Sequence, residues 1–224
     1  MFPADPDFFP SIPAAVPEAR VWKRLGRRRN TEFPGGEQGK AIRDALGEAF
    51  SLMDLRGAGL MVPILSLDPS EIRLAGGTVF RSAGLARLLR GSDALLLMGA
   101  TAGREIMDAI GKAVEEGRMA RASVLDAAAS EAVDGALDWI TGFYRRKLLR
   151  EMKTVTKRRF SAGYGDFALE NQEAIHRLLG LARLSVELTE SFMLLPEKSV
   201  TAVAGILKIE NRETSSDETE KSHS

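Results

Sequence analysis

Arg159-Phe160-Ser161-Ala162-Gly163-Tyr164-Gly165-Asp166 sits between a basic, strand-like segment and a helical pattern that carries Leu169, Gln172 and Ile175. Ser161, Ala162, Gly163 and Gly165 are small, so a bound molecule can touch main chain here, and the two glycines permit backbone angles that other residues resist. Arg159 offers a planar fork suited to a carboxylate. Tyr164 adds a ring able to stack or to meet a polar edge. Together these groups suit a zwitterionic, adenine-bearing ligand. Taken alone they also describe a plain glycine-rich β–α turn with an exposed arginine.

Working outward, the spacing predicts a strand over Thr154 to Phe160, a helix over 169–180, and strands over Leu184 to Leu188 and Ser199 to Ile209. Upstream lies the longest predicted helix, Arg118 to about Met152. Ala122, Leu125, Ala129, Val133, Ala136, Ile140 and Phe143 make its apolar stripe, and Glu131, Asp134 and Asp138 lie opposite as a solvated face. Asp126 borders the stripe near several alanines, where a carboxylate needs a partner; it is a candidate for a structural or ligand hydrogen bond. Before this helix, Gly99-Ala100-Thr101-Ala102-Gly103 reads as a tight connection from a buried strand (Ala94 to Met98) to a helix over about 103–116. It lacks the lysine and glycine spacing of a nucleotide loop. Ser82 is placed to cap a helix over 83–90. Ala75-Gly76-Gly77-Thr78 makes a hairpin of the segment Glu71 to Phe80, which follows a strand over Leu60 to Leu67. Residues 37–53 carry Ile42, Leu46, Ala49, Phe50 and Met53 at helical spacing. Short strands, intervening helices and hairpin-like pieces read as α+β rather than a regular doubly wound sheet.

The ends differ in composition. Residues 1–20 form a proline-rich extended arm whose aromatics are expected to pack on the body, residues 21–210 a single domain, and 211–224 a polar, disordered tail. A short helical turn ends near Gly26, ahead of a solvated basic cluster at Arg27-Arg28-Arg29. The 224 residues hold 31 basic and 31 acidic side chains, so no global field draws the chain to nucleic acid or an anionic membrane. There is no cysteine and only His176 and His223, which excludes thiolate ligation and a thiol nucleophile and argues against a histidine metal site. No apolar run is long enough to span a bilayer and the N-terminus lacks a secretory pattern, so a soluble cytoplasmic protein is expected.

Arg159, Gly163 and Tyr164 reproduce an R-x-x-x-G-Y motif, and the surrounding blocks carry a resemblance further. Leu188-Thr189-Glu190-Ser191-Phe192-Met193 is similar to an L-T-E-S-F block, and Pro196 to Ile206 to the strand that follows it. Leu125-Asp126-Ala127-Ala128-Ala129-Ser130 and Trp22-Lys23-Arg24-Leu25-Gly26 match a long-helix segment and an opening turn. In this order they resemble the activation domain of cobalamin-dependent methionine synthase, in its short, separately encoded form. The resemblance runs from about Val21 to Ile209. It implies a mixed, mainly antiparallel sheet with flanking helices, one of them long.

It also implies a ligand, S-adenosylmethionine, with Arg159 meeting the methionine carboxylate, Ser161 contacting it through main chain, and Gly163 and Tyr164 shaping the pocket. Glu190 has two open roles: meeting the ligand's amino or sulfonium charge, or serving as a structural carboxylate. Longer relatives place a tyrosine before the final strand; here Val200 and Thr201 stand instead. The implied activity is support, in trans, of reductive methylation: cobalamin carried by a partner, the methionine synthase polypeptide, takes an electron from a flavodoxin-like donor and a methyl group from S-adenosylmethionine. Two other functions are compatible with the residues, reactivation of another corrinoid methyltransferase and a non-catalytic S-adenosylmethionine-binding scaffold.

Overall fold

Strand β5 (Ala94–Thr101) explains most of the architecture. Its run Leu95-Leu96-Leu97-Met98 is fully buried, and successive side chains point to opposite faces. Leu95 and Leu97 enter one apolar cluster, Leu96 and Met98 another. A strand with no polar face must be covered on both sides, and here helices cover both. The computed structural model describes residues 5–13, 18–26 and 35–209.

In chain order the elements are β1 (Asp7–Phe9), α1 (Glu18–Arg24), α2 (Gly36–Leu52), β2 (Arg56–Leu67), β3 (Glu71–Leu74), β4 (Val79–Arg81), α3 (Ala83–Leu88), β5, α4 (Glu105–Glu115), α5 (Met119–Leu148), β6 (Lys153–Val155), α6 (Asn171–Leu179), β7 (Glu187–Leu188), β8 (Leu194–Leu195) and β9 (Ser199–Lys208). The main sheet runs β4-β3-β2-β5-β9-β6, with β1 also on β2, and β7 and β8 form a separate hairpin. Every strand pair is antiparallel. The architecture is α+β, as the sequence pattern predicts, with the mainly antiparallel sheet, flanking helices and one long helix that the resemblance implies.

Helix α5 crosses one face of the sheet. Its C-terminal half packs Ala136, Ile140 and Tyr144 on β5 and β9, and its N-terminal half packs Ala128, Ala132 and Val133 against α2 and α4. The opposite face carries α3, α6 and the hairpin Ala75–Thr78, around Phe80 and Phe167. Ser82 caps α3 as expected: its Oγ accepts from the Leu85 amide at 2.9 Å.

Four local expectations change. Gly99–Thr101 continue β5 instead of forming a loop, because each pairs on both sides, Gly99 with Ala58 and with Thr201. The segment from Thr154 is a strand only to Val155. Thr156 Oγ donates to the Arg158 carbonyl and accepts from the Gly205 amide, which breaks the ladder until Phe160 rejoins β9 at Val203. Residues 181–184 form a 3₁₀ turn that ends at Ser185 with φ 57°, leaving only Glu187–Leu188 extended. In the proline-rich arm, Asp7–Phe9 is a strand of the sheet, paired with Gly57–Gly59. Phe9 there stacks edge-on against Trp139 and Phe143. Arg27–Arg29 and the 211–224 tail lie outside the described residues.

Candidate functional site

Phe160 anchors the loop that holds the site. Its amide donates to the Val203 carbonyl (2.8 Å), and the Val203 amide donates back (2.7 Å). Beyond it the chain leaves the sheet, while Ser161 Oγ donates to the Thr201 carbonyl at 2.7 Å. The Gly163 amide donates to the Phe167 carbonyl (2.8 Å), and Phe167 donates to Tyr164 (3.0 Å), which closes a tight turn. Gly163 has φ 87°, and a Cβ there would lie 3.2 Å from Leu169, so the turn needs a residue without a side chain.

Asp166 ties this turn to α3. Its carboxylate accepts from Ser82 Oγ (2.6 Å) and from the amides of Ala83 (2.6 Å) and Gly84 (3.1 Å). The Ser82 hydroxyl first, then the amides, hold the Asp166 carboxyl below its ordinary range. Nothing local in the sequence marks Asp166 for this role, because the helix start it serves lies 83 residues earlier in the chain.

An open cleft of about 550 Å³ lies against the turn, a volume in the range of small-molecule sites. Arg159 to Ala162 and Tyr164 line one part of it, Leu169 and Gln172 another. Asp134 and Leu137 of α5, Phe192 to Leu194 of the β7–β8 hairpin, and Glu197 with the start of β9 complete it. Tyr164 is 71% exposed, so its ring is presented rather than packed. Thr201 Oγ donates to Gln172 Oε1 at 2.9 Å and orients that buried amide.

Arg159 stands at the junction of this cleft with a charged recess between α1 and α5. Its Nη1 donates to Asp138 Oδ1 at 2.8 Å, and Arg20 reaches the other oxygen of the same carboxylate at 3.4 Å. Arg24 pairs with Glu131 (2.8 Å) and Asp134 (3.3 Å). The acidic row of α5 is therefore not a merely solvated face: α1 and Arg159 engage it. Burial pushes the Asp134 carboxyl up, with the Arg24 charge opposing.

The residues singled out from sequence separate into two groups. Arg159, Ser161 and Tyr164 line the cleft, and Gly163 forms its turn. Glu190 and Asp126 do not line it. Glu190 is exposed in the β7–β8 connection, where Thr189 Oγ accepts from the Met193 amide and turns the chain. The carboxylate the hairpin and β9 bring to the cleft is Glu197 instead. Asp126 meets Lys198 at 2.6 Å, and Lys198 also donates to Ser130, so its partner is structural. At the positions where the resemblance leads one to expect a tyrosine, Val200 lines the cleft and Thr201 binds Gln172, while Phe192 supplies aromatic surface.

Fold and cleft define an α+β domain whose antiparallel sheet is crossed by one long helix and whose β9 edge opens on a small-molecule-sized cavity. Among solved structures the chain is similar to the crystal structure of the MetH reactivation domain bound to AdoHcy. The TM-score is 0.61 over 84% of this chain and 72% of that one, at 15% identity, a likeness of fold. No family model matches the chain. No curated protein matches it either. Among the described residues no helix is long and apolar enough to cross a membrane.

Proposed function

We propose that this protein binds S-adenosylmethionine in the Arg159–Tyr164 cleft and acts in trans as a reactivation module for a cobalamin-dependent methionine synthase. One observation carries the reading: an arginine held through one nitrogen stands beside a presented tyrosine ring in a cleft of about 550 Å³. The fold's likeness to a domain crystallised with AdoHcy supports the same ligand class.

The residues fit such a ligand. Arg159 keeps Nη1 on Asp138 and has further N–H groups in its fork for the ligand's carboxylate. Glu197 and Asp134 offer carboxylates to its ammonium or sulfonium charge, and Tyr164 and Phe192 offer ring surface to adenine. When bound, S-adenosylmethionine supplies a methyl group on a positively charged sulfur. The protein's own work is to hold that ligand at an open cleft, so that a corrinoid on the partner polypeptide can approach. A flavodoxin-like protein supplies the electron for reductive methylation. This chain need contribute no base and no metal ligand.

Isothermal titration of the full chain with S-adenosylmethionine tests the first half of the proposal. Saturable binding is expected, and a wild type that takes up no ligand would sink it. Incubation with inactive cobalt(II) synthase, reductant and S-adenosylmethionine tests the second half, with return of methylcobalamin expected. Binding without reactivation of this synthase, but with reactivation of a different corrinoid protein, would move the function to that methyltransferase. Binding with reactivation of neither would leave an S-adenosylmethionine-binding scaffold.

A further inference from the structure

Residues 145–159 hold eight basic side chains and one acidic one, Glu151, in a chain whose 31 basic and 31 acidic residues otherwise cancel. The fold sets several of them along one ridge, while Lys147 pairs with Asp7 and Lys153 with Asp93. Arg145 Nη2 donates to the carbonyls of Val155 (3.3 Å) and Thr156 (3.2 Å), and Arg159 meets Asp138. Residues 155–159 thus run back alongside the last turns of α5, in the opposite direction. Lys157 and Arg158 lie between these two fixed points, next to α5. Arg146, Arg150, Lys157 and Arg158 are exposed and make no ion pair among the described residues. Unpaired like charges gathered on one surface repel, so folding alone gives no reason for the ridge.

Three further observations indicate what it meets. Leu149 and Met152, at the end of α5, are 60% and 47% exposed within the basic segment. Apolar side chains ringed by charge are the make-up of a protein–protein interface, whose core is apolar and whose rim is polar. Helix α5 packs on the sheet and on α2 and α4 along its length, so it presents no long apolar face to a bilayer surface. The ridge also ends at Arg159, on the mouth of the cleft.

We infer that this ridge docks an acidic face of the corrinoid-bearing polypeptide beside the cleft, an inference that rests on the function proposed above. The positive surface steers the partner, and Leu149 and Met152 make the close contact. Affinity is then salt-dependent, because exposed charges are screened beyond about 10 Å at 0.1 M ionic strength.

The experiment titrates the full chain with the purified corrinoid polypeptide at low and high salt, and in parallel with S-adenosylmethionine. The double variant Lys157→Glu, Arg158→Glu is compared with Lys112→Glu, which reverses an exposed charge on α4 far along the chain from the ridge. The double variant is expected to weaken partner binding by about tenfold or more at low salt and to flatten the salt dependence, since charge steering changes association by 10-fold or more. S-adenosylmethionine affinity and melting temperature stay at wild-type values, and Lys112→Glu leaves partner binding unchanged. Equal partner affinity in the double variant and wild type overturns the ridge. So does a wild type that binds S-adenosylmethionine but not the polypeptide, and that outcome leaves the cleft assignment standing. A wild type that binds the polypeptide through the ridge but no S-adenosylmethionine overturns the cleft assignment instead. Ridge-dependent binding of phosphatidylglycerol vesicles or duplex DNA, with none of the polypeptide, overturns the protein partner.

Discussion

Of the arginine–carboxylate pairs that fasten α5 to its surroundings, those of Arg121 and Arg159 are built differently. Arg121 grips Glu48 of α2 with both ends of its fork, Nε to Oε2 at 2.9 Å and Nη2 to Oε1. Arg159 reaches Asp138 with Nη1, and Asp138 is shared with Arg20. A two-point grip matches the geometry of guanidinium and carboxylate and leaves that carboxylate little to offer another group. A one-point contact orients the arginine while its remaining N–H groups stay directed elsewhere. The first pair is a clamp between helices; the second, on the function proposed above, holds a binding group beside a cleft. If so, removing one arginine should change stability without affinity, and removing the other should do the reverse.

The largest effect falls on Arg159. Arg159→Ala is expected to weaken S-adenosylmethionine binding by about 10- to 100-fold, corresponding to ~1.5–3 kcal/mol for hydrogen bonds to a charged group, read by isothermal titration. Arg159→Lys should recover only part, since a point charge cannot bind a carboxylate at two points. The melting temperature should move by less than about 2 °C in both, because the Asp138 pair is a partly exposed contact. An unchanged ligand affinity in Arg159→Ala would erase the contrast between the pairs.

Next comes the turn that presents Arg159. Gly163→Ala puts a Cβ at φ 87° and 3.2 Å from Leu169. The expected cost is about 1–2 kcal/mol of stability, the penalty of a left-handed conformation for an L-residue, measured by urea unfolding. A variant as stable as wild type would mean that the turn is not held as tightly as its Phe167 bond indicates.

Much of this arrangement can be traced in the sequence, because it rests on local signals. The α5 stripe, the Ser82 cap and the glycines at 76 and 77 each announce their element by spacing or by a backbone requirement. What could not be traced depends on partners distant along the chain. Gly99 reads as a loop residue and lies in a strand, because β2 and β9 pair with it on both sides and Leu181 packs so close that a Cβ there would lie 2.8 Å from it. Asp7–Phe9 carries proline on either side, and only the small residues Gly57 to Gly59 opposite make it a strand. In the site, the arginine and tyrosine follow from their motif. The choice of Glu197 over Glu190 does not, because Glu190 lies in the β7–β8 connection and Glu197 in the one from β8 to β9, and only the second lines the cleft. Asp138 likewise becomes a site residue only through where the 159 turn lands on α5.

On the clamp side the effect is smaller and purely one of stability. Arg121→Ala should lower stability by about 1 kcal/mol, a melting shift of roughly 2–4 °C for a chain of this size, with S-adenosylmethionine affinity at the wild-type value. Glu48 gives the same contrast a pH signature. The Arg121 hydrogen bond holds its carboxyl below the ordinary range. A carboxyl whose folded pKa is depressed stabilises the fold above its unfolded value, about 4.3, and that contribution disappears as pH falls through the folded value. Wild type should therefore lose stability on acidification below about pH 4.3 more steeply than Glu48→Gln, by less than about 1 kcal/mol because the pair is partly exposed. Urea midpoints from pH 7 to pH 3 measure the difference, and parallel curves would remove the clamp.

The smallest effect belongs to Asp138, and it is the most discriminating. Asp138→Asn keeps the side chain's size and a carbonyl oxygen to accept from Arg159 Nη1, but removes the charge. If Asp138 only orients Arg159, S-adenosylmethionine affinity should stay within about threefold of wild type, since an exposed ion pair contributes well under ~1 kcal/mol. If anything affinity should rise, because the ligand's carboxylate would no longer share the guanidinium with a second anion. Asp138→Ala removes the acceptor as well, and should cost more than Asp138→Asn. Equal losses in the two variants would show that charge, not orientation, is what Asp138 supplies. Arg159 would then be a clamp of the same kind as Arg121.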